Sequence, residues 1–174
     1  MNKELYLPEN TRVSLELQGS LPLFRERYVS PQAGTVVLKG IFNQTAHLEL
    51  LDGSRYRLLS PRQDREYPNQ MAYPLVRLPE KAEVCRLRTP IKLEEGHVPR
   101  LRYTTMLDGE NYVFTQITAG QRGFELWDGM EMQQLVRRER GRGLLPDLTV
   151  LTPVPALLVL LFPWLDNQTL MRQS

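Results

Sequence analysis

The chain predicts a mainly β fold, a closed antiparallel β-barrel of about 10–12 short strands around a buried hydrophobic C-terminal helix. Three observations carry that expectation. Three Asp-Gly pairs, Asp52-Gly53, Asp108-Gly109 and Asp128-Gly129, each lie between runs of strand character. Asp-Gly favours tight hairpin turns because both residues tolerate a positive φ. Several runs alternate at period two, as where Val13, Leu15 and Leu17 share one face and Ser14 and Glu16 the other. Finally, Val154–Leu165, VPALLVLLFPWL, holds no charged residue. An apolar run with no polar face is surrounded by protein on all sides, and a closed sheet supplies such an interior while removing its own exposed edges.

The elements follow in order. Arg12–Leu17 and Thr35–Ile41 read as strands. The first Asp-Gly pair joins Thr45–Leu51 to Ser54–Ser60. Ser60–Pro79 contains Pro61, Pro68, Pro74 and Pro79 and opens on the charged RQDRE, which predicts a long Pro-rich surface loop over 60–79. Glu83–Arg88 reads as a strand, and the second Asp-Gly pair joins Arg100–Leu107 to Glu110–Thr118. The third joins Gly123–Trp127 to Met130–Arg138. Met130, Met132, Leu135 and Val136 fit a helix nearly as well as a strand, but Phe124–Trp127 needs a pairing partner across the turn, which favours the strand. Asp147–Thr152 is the last strand, and a core helix is expected at about 155–166 with Pro155 in its first turn. The ending NQTLMRQS is expected to be frayed or exposed.

The apolar segment reads as a buried core helix rather than a membrane span, with a tail-type membrane contact as the alternative. Pro153, Pro155 and Pro163 interrupt it. A helix from Pro155 would reach only roughly 17 Å at 1.5 Å per residue, short of the ~30 Å hydrocarbon core. A length of 174 residues fits one domain spanning 1–174. Charged residues at 24% and hydrophobic ones at 41% argue against wholesale disorder. A net charge of +2 gives no reason to expect a nucleic-acid partner. The single cysteine, Cys85, excludes an intrachain disulfide and is expected buried and inert. With no apolar leader at the N-terminus, the expected location is cytoplasmic.

No catalytic constellation stands out. His47 lies mid-strand and His97 in a turn, without metal-ligand spacing around them. Glu94 and Glu95 are adjacent, so on a strand they point to opposite faces. No cofactor or metal is expected. One pattern does suggest chemistry. Arginines recur at spacing two in three strand candidates: Arg55 and Arg57, Arg86 and Arg88, Arg100 and Arg102. Period two puts each pair on one face, with Tyr56, Leu87 and Leu101 turned to the core. If these strands are neighbours, up to six guanidinium groups form a basic wall that matches phosphate geometry. The bland alternative is a solvated face balanced by Glu49, Glu83 and Glu110. Arg137, Arg138, Arg140 and Arg142 make a second basic cluster.

The order of a hairpin, GFELWDGMEMQQLVRRERG, a strand, DLTVLTP, and a closing apolar helix, VPALLVLLFPWLDN, resembles the C-terminal part of the tubby-like superfamily. That superfamily includes the phospholipid scramblases and the plant LURP-one-related proteins. The resemblance covers roughly Gly123–Asn167. It implies a closed barrel around a hydrophobic C-terminal helix and a preference for phosphorylated headgroups, without implying scrambling. No segment matches the scramblase calcium-binding region, and Pro163 is expected to kink or end the helix. The expected function is therefore a non-catalytic binding module. Its partner would be an anionic phospholipid or another polyanion, with peripheral membrane contact compatible. A protein-interaction scaffold is the second reading, and an enzyme assembled around His47 the third.

Overall fold

The structure, a computed structural model, describes residues 5–21, 25–39, 44–91, 100–119, 121–139 and 147–172. Among them the N-terminal half contributes β1 (Tyr6–Leu7), β2 (Arg12–Ser14), β3 (Glu16–Leu21), β4 (Arg25–Ser30), β5 (Gly34–Lys39), β6 (Thr45–Leu50), β7 (Arg55–Leu58) and β8 (Arg62–Gln63). Next come β9 (Gln70–Leu78), β10 (Ala82–Pro90), β11 (Arg102–Leu107), β12 (Glu110–Gln116), β13 (Phe124–Asp128), β14 (Gln134–Glu139), β15 (Asp147–Val150) and β16 (Val154–Pro155). Two helical pieces follow, α1 (Ala156–Val159) and α2 (Phe162–Arg172).

The main sheet is antiparallel and runs β2-β15-β14-β13-β12-β11-β10-β9-β7-β6-β5-β4-β3. Its two ends are consecutive in the chain, separated only by Leu15. β2 pairs with β15 and β3 with β4, so one run bends from one sheet edge to the other and nearly closes the barrel. With that run counted once, the path holds twelve strands, and β8 lies off it against β9.

Asp108-Gly109 turns tightly, with φ of 51° and 80°, the left-handed pair that a two-residue hairpin requires. Asp128-Gly129 behaves differently from the expectation. β14 begins only at Gln134, and Glu131 holds the positive φ of 54°. The Asp128 carboxylate accepts the Met132 N–H at 2.8 Å and so closes a wider loop. Gly129 is needed because a Cβ there would collide with the Asn111 side chain.

The expected 60–79 loop needs correction. Its second half is β9, a central strand paired with both β7 and β10. Pro74 sits within it without breaking the ladder. The Leu59 N–H donates to the Pro74 carbonyl at 2.8 Å. A strand residue's nitrogen and carbonyl point the same way, so the Pro74 nitrogen faces the break between β7 and β8, where no donor is needed.

Ala156–Leu165 are buried. The segment enters at the barrel end that carries the β11–β12 and β13–β14 turns, where β16 pairs with β1. Trp164 packs edge-on against Tyr73 of β9 and Tyr103 of β11, with ring centroids 4.8 and 5.6 Å apart. Phe162 meets Phe114 of β12 at 5.5 Å. At the far end Asp166 accepts two contacts from Arg138 of β14, at 2.9 and 3.1 Å, and Asn167 donates to Glu26 of β4. Burial pushes the Asp166 carboxyl above its ordinary range, against the pull of Arg138. The helix breaks at Leu160–Leu161 and restarts just before Pro163, which therefore lies in a first turn. Helix continues to Arg172, so the backbone from Asn167 is helical rather than frayed, with Gln168 buried, while Gln173 and Ser174 lie outside the described residues. No helix among the described residues is long and apolar enough to cross a membrane.

Candidate functional site

The arginine pairs face as their spacing requires. Tyr56, Leu87 and Leu101 turn inward and are buried, so Arg55, Arg57, Arg86, Arg88 and Arg102 project from the outer wall. Arg100 is exposed just before β11. They do not form one patch. β9 lies between β7 and β10, and its outward Pro74 and Val76 separate Arg55 and Arg57 from Arg86 and Arg88.

Three of the six are also neutralised. The segment before β9 folds Asp64 against the wall, where its carboxylate accepts Arg88 Nε at 2.9 Å and lies 3.7 Å from Arg86. The Asp64 carboxylate also accepts the backbone N–H of Glu66 and Tyr67. The Arg88 bond, with those N–H groups, holds the Asp64 carboxyl down at about 2 despite its burial. Glu66 takes a second Arg88 nitrogen at 2.9 Å, Glu83 takes Arg86, and the Tyr67 ring lies 4.8 Å from the Arg88 guanidinium. Arg102 pairs with Glu131. The second basic cluster divides as well: Arg137 pairs with Glu139 at 2.9 Å, while Arg138 turns to Asp166. Arg140 and Arg142, like His97, Glu94 and Glu95, lie outside the described residues.

A different cationic surface emerges on β4–β7. Antiparallel register puts Arg27 opposite Val37, Val37 opposite His47, and His47 opposite Arg57. These outward residues form a row across four strands, which at ~4.8 Å per strand spans about 14 Å of backbone. Lys39 Nζ approaches His47 Nδ1 at 3.5 Å. One residue pair along, Glu49 stands opposite Arg55. Arg27, Thr35, Val37, His47, Glu49 and Arg55 line an open groove of about 400 Å³. Among the described residues Arg27, Arg55 and Arg57 make no ion pair.

Arg27, Lys39 and His47 were not among the sequence candidates for anion binding. Positions 27, 37, 47 and 57 recur every ten residues in the sequence, and the register sets each opposite the next. The arrangement is suited to holding negative charge by charge-assisted hydrogen bonds. No three His, Cys, Asp or Glu residues gather as metal ligands among the described residues. No family model, curated protein or solved structure matches the chain.

Proposed function

We propose that this chain is a non-catalytic module that binds a phosphate-bearing anion, with anionic phospholipid headgroups as the leading class, on the outer wall of β4–β7. One observation carries the reading: Arg27 and Arg55 line one groove, Arg57 stands opposite the groove residue His47, and among the described residues none of the three makes an ion pair. A guanidinium left unpaired beside a concavity retains its full capacity for a bidentate phosphate contact. The same reading places the chain in the tubby-like superfamily. Its support is the element order, a nearly closed antiparallel sheet followed by a C-terminal helical segment that contacts strands around the wall.

The test is co-sedimentation with vesicles of phosphatidylcholine alone or doped with a phosphoinositide, at low and moderate salt. Binding is expected only to the doped vesicles and to weaken as salt rises. Charge-assisted hydrogen bonds are worth about 1.5–3 kcal/mol each. Arg55→Glu with Arg57→Glu should therefore cut affinity at least about tenfold, whereas Arg102→Glu, whose partner is Glu131, should leave it near wild type. Equal loss in both variants, or no binding to doped vesicles at low salt, would remove the proposal.

A further inference from the structure

A second surface carries the opposite sign. Met106, Met130 and Met132 are 57%, 78% and 83% exposed. Met106 and Met130 come together because β12 pairs with both β11 and β13, which sets Met106 opposite Asn111 and Tyr112 opposite Asp128, and Met132 follows two residues on in the β13–β14 turn. The β11–β12 and β13–β14 turns consequently stand side by side. Met106 and Met130 line one concavity of about 380 Å³, floored by Thr104, Asn111 and Gly129. Three large apolar side chains exposed on two adjacent turns are unusual for a surface without a partner. Glu110 and Asp128 line the same concavity, Asp108 lies in the β11–β12 turn beside Met106, and Glu131 lies between Met130 and Met132 in the chain. Among the described residues Asp108 and Glu110 make no ion pair. The two cations nearby are committed, Arg102 to Glu131 and Arg88 to Asp64 and Glu66.

We propose that this rim is a docking surface for a basic amphipathic helix of a partner protein. Methionine is unbranched and polarisable, so it moulds to an irregular apolar face. A helix laying such a face on Met106, Met130 and Met132 brings its flanking lysines or arginines to Asp108 and Glu110. Charge excludes two other occupants. An anionic membrane meets the same carboxylates and is repelled. A two-fold dimer through this rim sets Asp108 and Glu110 against their own copies, a like-charge contact that opposes association.

The test uses a fluorescently labelled synthetic amphipathic helix of Leu and Lys, a counterpart with Glu in place of Lys, and the methionine methyl signals of the full chain. The Leu-Lys helix should bind saturably, moving the Met106, Met130 and Met132 signals while leaving that of Met71 in place. Met130→Ser with Met132→Ser should weaken binding about tenfold, and the Leu-Glu helix should not bind. Three results would overturn the proposal. One is the absence of saturable binding by the Leu-Lys helix. Another is binding indifferent to the double variant. The third is concentration-dependent self-association that the double variant abolishes, which would make the rim an interface between copies.

Discussion

Asp64 shows how a single side chain decides what a neighbouring charge can do. Its carboxylate has no exposed surface yet lies shallow, beneath Arg86 and Arg88, and it satisfies two backbone N–H groups as well. Its folded pKa of about 2 lies below the ordinary 3.8. The contribution is therefore complete above about pH 4 and is lost as pH falls towards 2. At so shallow a site, solvent screening limits it to roughly 1 kcal/mol. Asp64→Asn should lower the melting temperature at neutral pH and flatten the acid-side loss between pH 4 and 2. Thermal melts across that range check this; a variant as acid-sensitive as wild type would show that Asp64 is not the titrating group. The same residue marks a limit of sequence reading. Period two placed Arg86 and Arg88 on one outward face, but nothing local to RLR reveals that a carboxylate more than twenty positions earlier folds onto them. Arg55 and Arg57 have the same spacing and, among the described residues, no ion-pair partner.

At the scale of the element, tolerance of proline depends on where the absent N–H would point. Pro74 directs it into a gap between two short strands, and Pro163 into the first turn of α2, where intrahelical acceptors are missing. Proline counting therefore misread β9 as loop while reading the break in the C-terminal helix at about its right place. Pro163 and Trp164 of α2 separate cleanly in stability. Pro163→Ala should change it by no more than about 0.5 kcal/mol, because no backbone bond is gained or lost. Trp164→Ala should cost about 3–5 kcal/mol, since it empties the space between Tyr73 and Tyr103. Urea unfolding midpoints measure both, and a larger loss for Pro163→Ala would mean that the ring itself fills core volume. The hairpins show a related contrast. Asp-Gly at 108–109 makes the tight turn that the pair favours, whereas at 128–129 the close approach to Asn111 and the side-chain bonds of Asp128 impose a longer loop.

For the whole molecule, closure joins the two ends of the chain. β2 reaches β15, and β1 reaches β16, so the last strand pairs seal the first. Ala156–Leu165 are buried, and Phe162 and Trp164 meet rings on β9, β11 and β12. Opposite charge falls on two outer surfaces, the β4–β7 face and the methionine rim. Alternation and an uncharged C-terminal run made the β class and the apolar segment legible in the sequence. The charged surfaces were less so, because they depend on strand order, and each row gathers one residue from every strand. Termination of the chain before Val154 supplies the test at this scale. It removes β16 with its pairing to β1, the rings of Phe162 and Trp164, and the Asp166 partner of Arg138. Burial of one Leu or Phe side chain is worth roughly 1.5–3 kcal/mol, and the whole stability of a domain is only about 5–15 kcal/mol. The truncated chain should therefore show no cooperative thermal transition and no dispersed amide spectrum. A soluble, cooperatively melting product would mean that the strands close around something other than this segment, and the outer-wall assignment of the anion site would lose its structural basis.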